Sequence, residues 1–315
     1  MTEVITPIHN DDVSLLARNI ASVKAQLRPC IQFVVDDCSD IENSKKYEAL
    51  CEQNNVYYAR LDKNVGPGLA RQYGVDNGIN TPFIMFLDAD DVLFPTAVLN
   101  LENELIKNNT DMAIGEILFD DPNNSQLLKY PQNVTYCCGK LYKRELIEKH
   151  NIRFCEHLFY NEDSYYNTVY RFFCEKEAVL STPVTIWCNN QNSVTKSKEY
   201  VYAEKYNYEY VKSNIYMIDT LAPINDKINF GIQIGQLYNS YQDELVYGHD
   251  TTEIDKLIVT LITPRMDTLM AAEGFYSAFS QRIQTNLNGV LYPESAVSFL
   301  ERLKNGDFGK FEKEK

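Results

Sequence analysis

No run of 18 apolar residues occurs in this 315-residue chain, so a membrane-spanning helix is not expected. The opening MTEVITPIHN has no basic stretch leading into an apolar one, and no signal peptide is expected either. The eight cysteines form no C-x-x-C pair; six are scattered and Cys137 and Cys138 are adjacent. Zinc sites use closely spaced ligand pairs, so reduced thiols of a cytoplasmic protein are the expectation. Neither G-x-x-x-x-G-K-[ST] nor G-x-G-x-x-G is present, which removes two glycine-rich phosphate loops. Positive charge is scarce. Thirty Lys and Arg face 44 Asp and Glu, for a formal net charge of −14. Such a balance repels a phosphate backbone, so nucleic acid is not an expected partner. Internal repeats and low-complexity segments are absent, and tryptophan occurs once, at Trp187.

What is present reads as a globular α/β chain. Hydrophobic residues make up 44% and charged residues 23%, ordinary values for a globular protein. Over the first 120 residues short apolar runs alternate with helical patterns. EVITPI (3–8), IQFVVDD (31–37), VYYARL (56–61), PFIMFLD (82–88) and MAIGEILF (112–119) read as strands. Asp11 or Asp12 can cap a helix with Val13, Leu16, Ile20, Val23 and Leu27 on one face. Pro95 sits where a further helix would begin. CCGKLYKRELIEKHNIRF reads as a turn, a short helix and a return strand, and a helix is predicted from near Glu162. AVLSTPVTIWCNN carries a proline and reads as an edge strand. From about residue 200 the pattern is helical and rich in tyrosine. The predicted organisation is a catalytic domain over 1–198 and a helical C-terminal region over 199–315, with a mostly parallel sheet covered by helices on both faces.

Parallel sheets bind ligands at the carboxyl ends of their strands, and polar residues collect there. In PFIMFLDADDVLFP an apolar strand runs into Asp88, Ala89, Asp90 and Asp91. Side chains two apart in extended chain point the same way, so Asp88 and Asp90 can converge. Converging carboxylates repel unless a cation lies between them, and a hard divalent ion suits oxygen ligands. A solvated loop or helix cap is the bland alternative. Asp37 in VVDDCSD can accept from a base or a ribose, or simply cap a helix. NVGPGLARQYG offers glycines for close backbone approach and Arg71 for a phosphate or base, or a plain turn. His9 can meet a nucleotide or satisfy nearby backbone. Trp187 is expected in the core, with a sugar platform as the alternative.

In order, VITPIHN, VVDDCSD, NVGPGLARQYGVDNG, FIMFLDADD, CGKLYKRELI and NEDSYYN resemble the family 2 glycosyltransferases of GT-A fold. The resemblance spans about residues 3–197, including NSVTKS, and leaves out the helical remainder. Cys38 stands where that family usually has glycine, Gln72 where it has asparagine and Cys138 where it has an aromatic. The resemblance implies an inverting, metal-dependent hexosyl- or N-acetylhexosaminyl-transferase using a UDP-sugar. Pro7, His9, Asp37, Asn64, Arg71, Asp88 and Ala89 would then bind the nucleotide-sugar. Asp90, with Asp88, would hold Mn²⁺ or Mg²⁺ at the D-x-D motif. Asp163 would be the general base, with Glu162 beside it. The implied acceptor is a cell-surface polysaccharide, teichoic acid or related glycan. Contact with the inner membrane face and homo-oligomerisation through the C-terminal helices are further expectations. The alternatives are a non-catalytic nucleotide-sugar binding protein and a transferase acting on modified DNA.

Overall fold

The computed structural model describes residues 1–121, 126–130, 135–190, 202–224 and 228–308. It divides into two compact units, Met1–Asn192 and Ser193–Lys315. The NSVTKS stretch and the boundary expected at 198/199 fall in 191–201, outside the described residues.

In the first unit β1 (Thr2–Ile8), β2 (Cys30–Asp36), β3 (Tyr57–Arg60) and β4 (Phe83–Phe86) pair in parallel in the order β3-β2-β1-β4. The connecting helices are α1 (Val13–Lys24), α2 (Ile41–Asn54) and α3 (Pro67–Asn77). Beyond β4 come β5 (Val92–Leu93), α4 (Ala97–Asn108), β6 (Met112–Asp121), β7 (Gln126–Tyr130) and β8 (Lys140–Lys143). Then follow α5 (Arg144–His150), α6 (Glu162–Phe173) and β9 (Glu177–Trp187). The sheet continues from β4 through β8, β6 and β9 to β5, with β7 paired to β6. β8 is antiparallel to both neighbours, whereas β6 and β9 are parallel to each other. One consequence positions the site. The carboxyl ends of β1, β2, β4, β6 and β9 share one rim, and β8 brings its amino end to that same rim.

Strand alternation divides the core. Val4 and Met85 pack with Val23 of α1 and Val98 and Leu101 of α4. Ile5 instead meets Gly74 of α3, and Phe86 meets Tyr166 of α6 edge-on at 5.6 Å. Helices thus cover both faces. The Asp12 side chain accepts the Ser14 N–H at 2.8 Å and caps α1, whose Leu16, Ile20 and Val23 are buried. Leu27 lies past the end of α1 and is exposed, unlike the expected apolar face.

Three expected elements differ. The helix expected at Pro95 starts at Ala97: the Val98 N–H that a start at Pro95 would give to the Phe94 carbonyl goes to the Gln26 side-chain oxygen at 3.1 Å, and the Gln26 amide donates to that carbonyl at 2.8 Å. The stretch read as turn, helix and return strand is a strand followed by a helix, β8 then α5. Central strand β8 is too short for its period to show beside the helical pattern that follows it. β9 lies inside the sheet, between β6 and β5. Its Pro183 is tolerated because it stands opposite Glu116, where the β6–β9 register shifts.

The second unit is helical: α7 (Tyr202–Leu221), α8 (Gly231–Tyr247), α9 (Thr252–Leu257), α10 (Met266–Ala271), α11 (Phe275–Ser280) and α12 (Ala296–Asn305). A two-stranded hairpin, β10 (Asn286–Leu287) with β11 (Val290–Leu291), precedes α12. Ile215, Ile218, Ile234, Leu237, Ile258 and Leu303 are among its buried side chains. No helix among the described residues is long and apolar enough to cross a membrane.

Candidate active site

The rim begins at β1. Pro7 is buried and pairs with Val35, just past the point where the β1–β4 ladder ends at Ile5 and Phe86. Its missing N–H therefore costs no ladder bond on that side. Exposed His9 places Nδ1 2.8 Å from the Asp37 carbonyl oxygen and Nε2 3.1 Å from the Asn64 amide nitrogen. A carbonyl only accepts, so Nδ1 carries the proton and Nε2 accepts from Asn64. His9 and Asn64 thereby tie together the loops after β1, β2 and β3.

The Asp37 carboxylate is almost fully buried. It accepts the Val65 N–H at 2.7 Å and the Gly66 N–H at 2.8 Å. Gly66 has φ +87°, a backbone conformation that glycine adopts freely. Burial pushes the Asp37 pKa up and the two N–H bonds draw it back. Sequence reading sends this carboxylate to a base; in the structure both oxygens also hold the glycine loop in shape. Its neighbour Asp36 accepts from Ser39, Ser44 and Tyr58 and anchors the start of α2.

After β4 the chain turns, with the Asp91 N–H bonded to the Asp88 carbonyl at 3.0 Å. α1 grips this turn by its backbone. The buried Asn19 amide donates to the carbonyls of Asp88 and Asp91, both at 2.9 Å, and Arg18 donates to the Asp90 carbonyl at 2.7 Å. The carboxylates are left to separate tasks. Asp88 accepts from Arg71 at 2.6 Å, and Asp90 accepts from the Asn190 amide at 3.0 Å. Buried Asp91 accepts the Cys188 N–H at 2.9 Å. The Ala89 methyl packs in the core with Ile8, Leu16 and Ile20, so only its backbone can meet a nucleotide.

Asp11, read from sequence as one of two candidate caps, belongs electrostatically to this turn. Burial, then the charges of Asp90 and Asp88, lift its pKa to about 6. Burial and the Asp88 charge likewise raise that of Asp90. Among the described residues no group of three or more His, Cys, Asp or Glu is arranged to hold a metal ion. Asp88 and Asp90 offer two hard oxygen donors in a region of crowded negative charge. Magnesium-type ions commonly take one or two carboxylates and draw the rest from waters and substrate phosphates, and this donor set fits that pattern.

Arg71, on α3, joins the turn to α6. While its NH2 meets Asp88, its NH1 lies 2.8 Å from Glu162, at the first position of α6. Burial opposes the Arg71 charge, and the two carboxylates outweigh it. Gly68 permits this approach. A Cβ there would stand 2.6 Å from Glu162 Cγ and 3.0 Å from its Cβ. The part-buried Asp163 carboxylate accepts the Ser164 N–H at 2.7 Å. Burial first, then the Glu162 charge, lift its pKa to about 7, against the pull of Arg71. Fully buried Asn167 secures the same turn from below. Its amide donates to the Asp163 carbonyl at 2.8 Å and the Thr135 carbonyl at 2.6 Å, while its own oxygen accepts from Tyr142. Neither Asp11, read only as a cap, nor Asn167 was placed at the site from the sequence. An Asp-Asp pair before a helix reads as a cap, and a helical Asn carries no pattern.

The arrangement thus has loops after β1, β2 and β3 tied together at one rim, the carboxylates of Asp88 and Asp90, and a second acidic pair linked to Asp88 by one guanidinium. The model of glycosyl transferase family 2 matches residues 3–180. The chain belongs to glycosyl transferase family 2. This family 2 chain is similar to the succinoglycan biosynthesis protein ExoW of Rhizobium meliloti (strain 1021), with 32% identity over 111 residues, 34% of this chain and 35% of that protein. It is also similar to the poly(ribitol-phosphate) β-N-acetylglucosaminyltransferase TarP of Staphylococcus aureus (strain N315), with 27% identity over 174 residues, 48% of this chain and 51% of that one. The chain spans about a third to a half of the length of these curated relatives. S. aureus TarS residues 1–349 in complex with UDP-GlcNAc share the GT-A fold at a TM-score of 0.67 and 15% identity, over 98% of this chain and 88% of that one. The same protein in complex with UDP gives 0.64 and 14%, with the same coverage of both chains. At that identity the likeness shows the fold alone.

Proposed function

We propose that this family 2 member transfers a sugar from a UDP-sugar to an acceptor hydroxyl with inversion, using Asp163 as general base and a divalent cation at Asp90 and Asp88. One observation carries the reading. Arg71 bridges Asp88 and Glu162, which gathers carboxylates from α6 and from the turn after β4 at a single rim. The UDP and UDP-GlcNAc complexes of TarS support the choice of donor. A mannosyltransferase of the same fold, from Pyrobaculum calidifontis, is described in complex with GDP-Man and Mn²⁺ and supports the cation. The names of ExoW and TarP support an acceptor among polysaccharides and teichoic acids.

Two charges have to be managed in such a transfer. A cation, when bound, stabilises the negative charge developing on the leaving diphosphate. This chain's residues do the rest. The loops held by His9, Asn64 and Asp37 cradle the nucleoside, with Pro7 and the Ala89 backbone beneath it. Asp163 takes the proton from the acceptor hydroxyl as its oxygen bonds to the anomeric carbon. The bond from that carbon to the phosphate oxygen breaks, and UDP departs with the bonding pair. A carboxylate that titrates near neutrality suits this task, being basic enough to accept and still ionised in part. Burial also raises the pKa of Glu162 beside it, and the Arg71 guanidinium pulls both carboxyls back down.

The test is thermal. UDP with Mn²⁺ should raise the melting temperature of the full chain, and Asp90→Ala should remove the cation-dependent part of the increment. An unchanged increment in that variant overturns the cation assignment.

A further inference from the structure

The largest aromatic cluster described in the first unit is sealed. Tyr142, Tyr166, Tyr170 and Phe86 pack together at 0–1% exposure. A trio at the rim is more open. Phe119, Tyr136 and Trp187 are each only partly buried, so Trp187 is not the core residue expected from sequence. Phe119 stands opposite Trp187 in the β6–β9 register, with ring centroids 5.7 Å apart, and the Tyr136 ring lies 5.5 Å from Trp187. Both contacts are edge to face.

Their backbone tethers locate the trio. Trp187 is followed by Cys188, whose N–H bonds Asp91, and by Asn190, whose amide bonds Asp90. Tyr136 follows Thr135, whose carbonyl shares the Asn167 amide with the Asp163 carbonyl. Its own carbonyl accepts from Lys140, a fully buried lysine at the rim end of β8. Gly139, beside Lys140, approaches Ile117, which alternation places on the same side of β6 as Phe119. The aromatic pair therefore spans the rim between the Asp90 turn and the Asp163 turn. Lysine buried at that position holds the Tyr136 backbone, a part the transfer chemistry leaves unused.

A sugar ring has one face of C–H bonds and an edge of hydroxyls. Aromatic faces suit the first and amides and carboxylates the second. We propose that Tyr136 and Trp187 form a platform for a sugar ring held between Asp90 and Asp163, an assignment that rests on the glycosyl-transfer reading above. The ring is either the one being transferred or the one that receives it; the chemistry of recognition is shared.

Trp187 is the sole tryptophan, so its emission reports directly on the platform. The full chain would be titrated with methyl β-D-glucopyranoside and with N-acetylglucosamine, and separately, with Mn²⁺, with UDP, UDP-glucose and UDP-GlcNAc. A saturable change with a free saccharide assigns the platform to the acceptor. A change with a UDP-sugar beyond that with UDP assigns it to the donor. In either case Tyr136→Ala should weaken the sugar-dependent change about tenfold, and Tyr136→Phe should restore it. Thermal melting of both variants guards against simple unfolding. Emission that ignores every sugar, or equal affinity in a folded Tyr136→Ala variant, overturns the platform. The two readings fail separately. UDP-sugar turnover with a silent platform keeps the function and removes the platform, and a saccharide response without UDP stabilisation does the reverse.

Discussion

Asp163 sits in an environment that disfavours its own charge. With its pKa lifted to about 7 from an ordinary 3.8, it would, as the proposed base, switch on near neutrality. The turnover rate should therefore rise with pH through a midpoint of about 7, and Asp163→Asn should lower it by roughly 10²–10⁴-fold while UDP binding persists. Stability carries the opposite sign. The folded state holds this proton more tightly than the unfolded chain, so the contribution is full below about pH 4 and is lost as pH rises through about 7. Asparagine mimics the protonated carboxyl at every pH. The melting temperature of Asp163→Asn should accordingly exceed that of the parent by more at pH 8 than at pH 5, and a difference independent of pH would refute the assignment. At this scale the sequence was legible where charge interrupts an apolar strand, as at Asp88 and Asp90. Asp11 was illegible because its significance lies in two carboxylates contributed by a turn far along the chain.

At the scale of elements, α3 and α6 meet through the absence of a side chain. Gly68 leaves room for Glu162 on the first turn of α6, and Arg71, one turn along α3, then reaches it. Gly68→Ala places a methyl against the Cβ and Cγ of Glu162, near its backbone and hard to deflect. The expected result is a loss of about 1–3 kcal/mol in urea denaturation, with a fall in turnover as the Arg71–Glu162 pair opens. A variant as stable and as active as the parent would show that α6 can shift at no cost. Strands β1, β2 and β4 were readable from their apolar runs, and α6 from its tyrosine-rich stripe. β8 was missed because KLYK leads straight into RELIEKH, and helical spacing there masks four extended residues. β9 was placed at an edge because of Pro183; a register shift, invisible without the partner strand, lets the proline sit inside.

For the whole molecule, each unit buries side chains of its own, Val4, Met85 and Leu101 in the first and Ile234, Leu237 and Ile258 in the second. A fragment ending at Asn192 should therefore fold and keep the UDP and Mn²⁺ stabilisation of the full chain; a fragment that melts broadly and ignores UDP would show that the two units depend on each other. Alternation of strands and helices announced the first unit, whereas the tyrosine-rich remainder announced helices without saying what they pack against.

The reversal of β8 has one more implication. Parallel pairing of β1 to β4 draws the loops proposed to face the nucleoside from residues 7–90, and the turnabout at β8 draws the opposite bank, Phe119, Tyr136, Asp163 and Trp187, from a later, non-overlapping stretch. The two proposed functions of this rim are thus written in separate paragraphs of the gene. Under the proposed function, mutational drift in the second would retarget the enzyme while the first went on recognising the same currency of activated sugar.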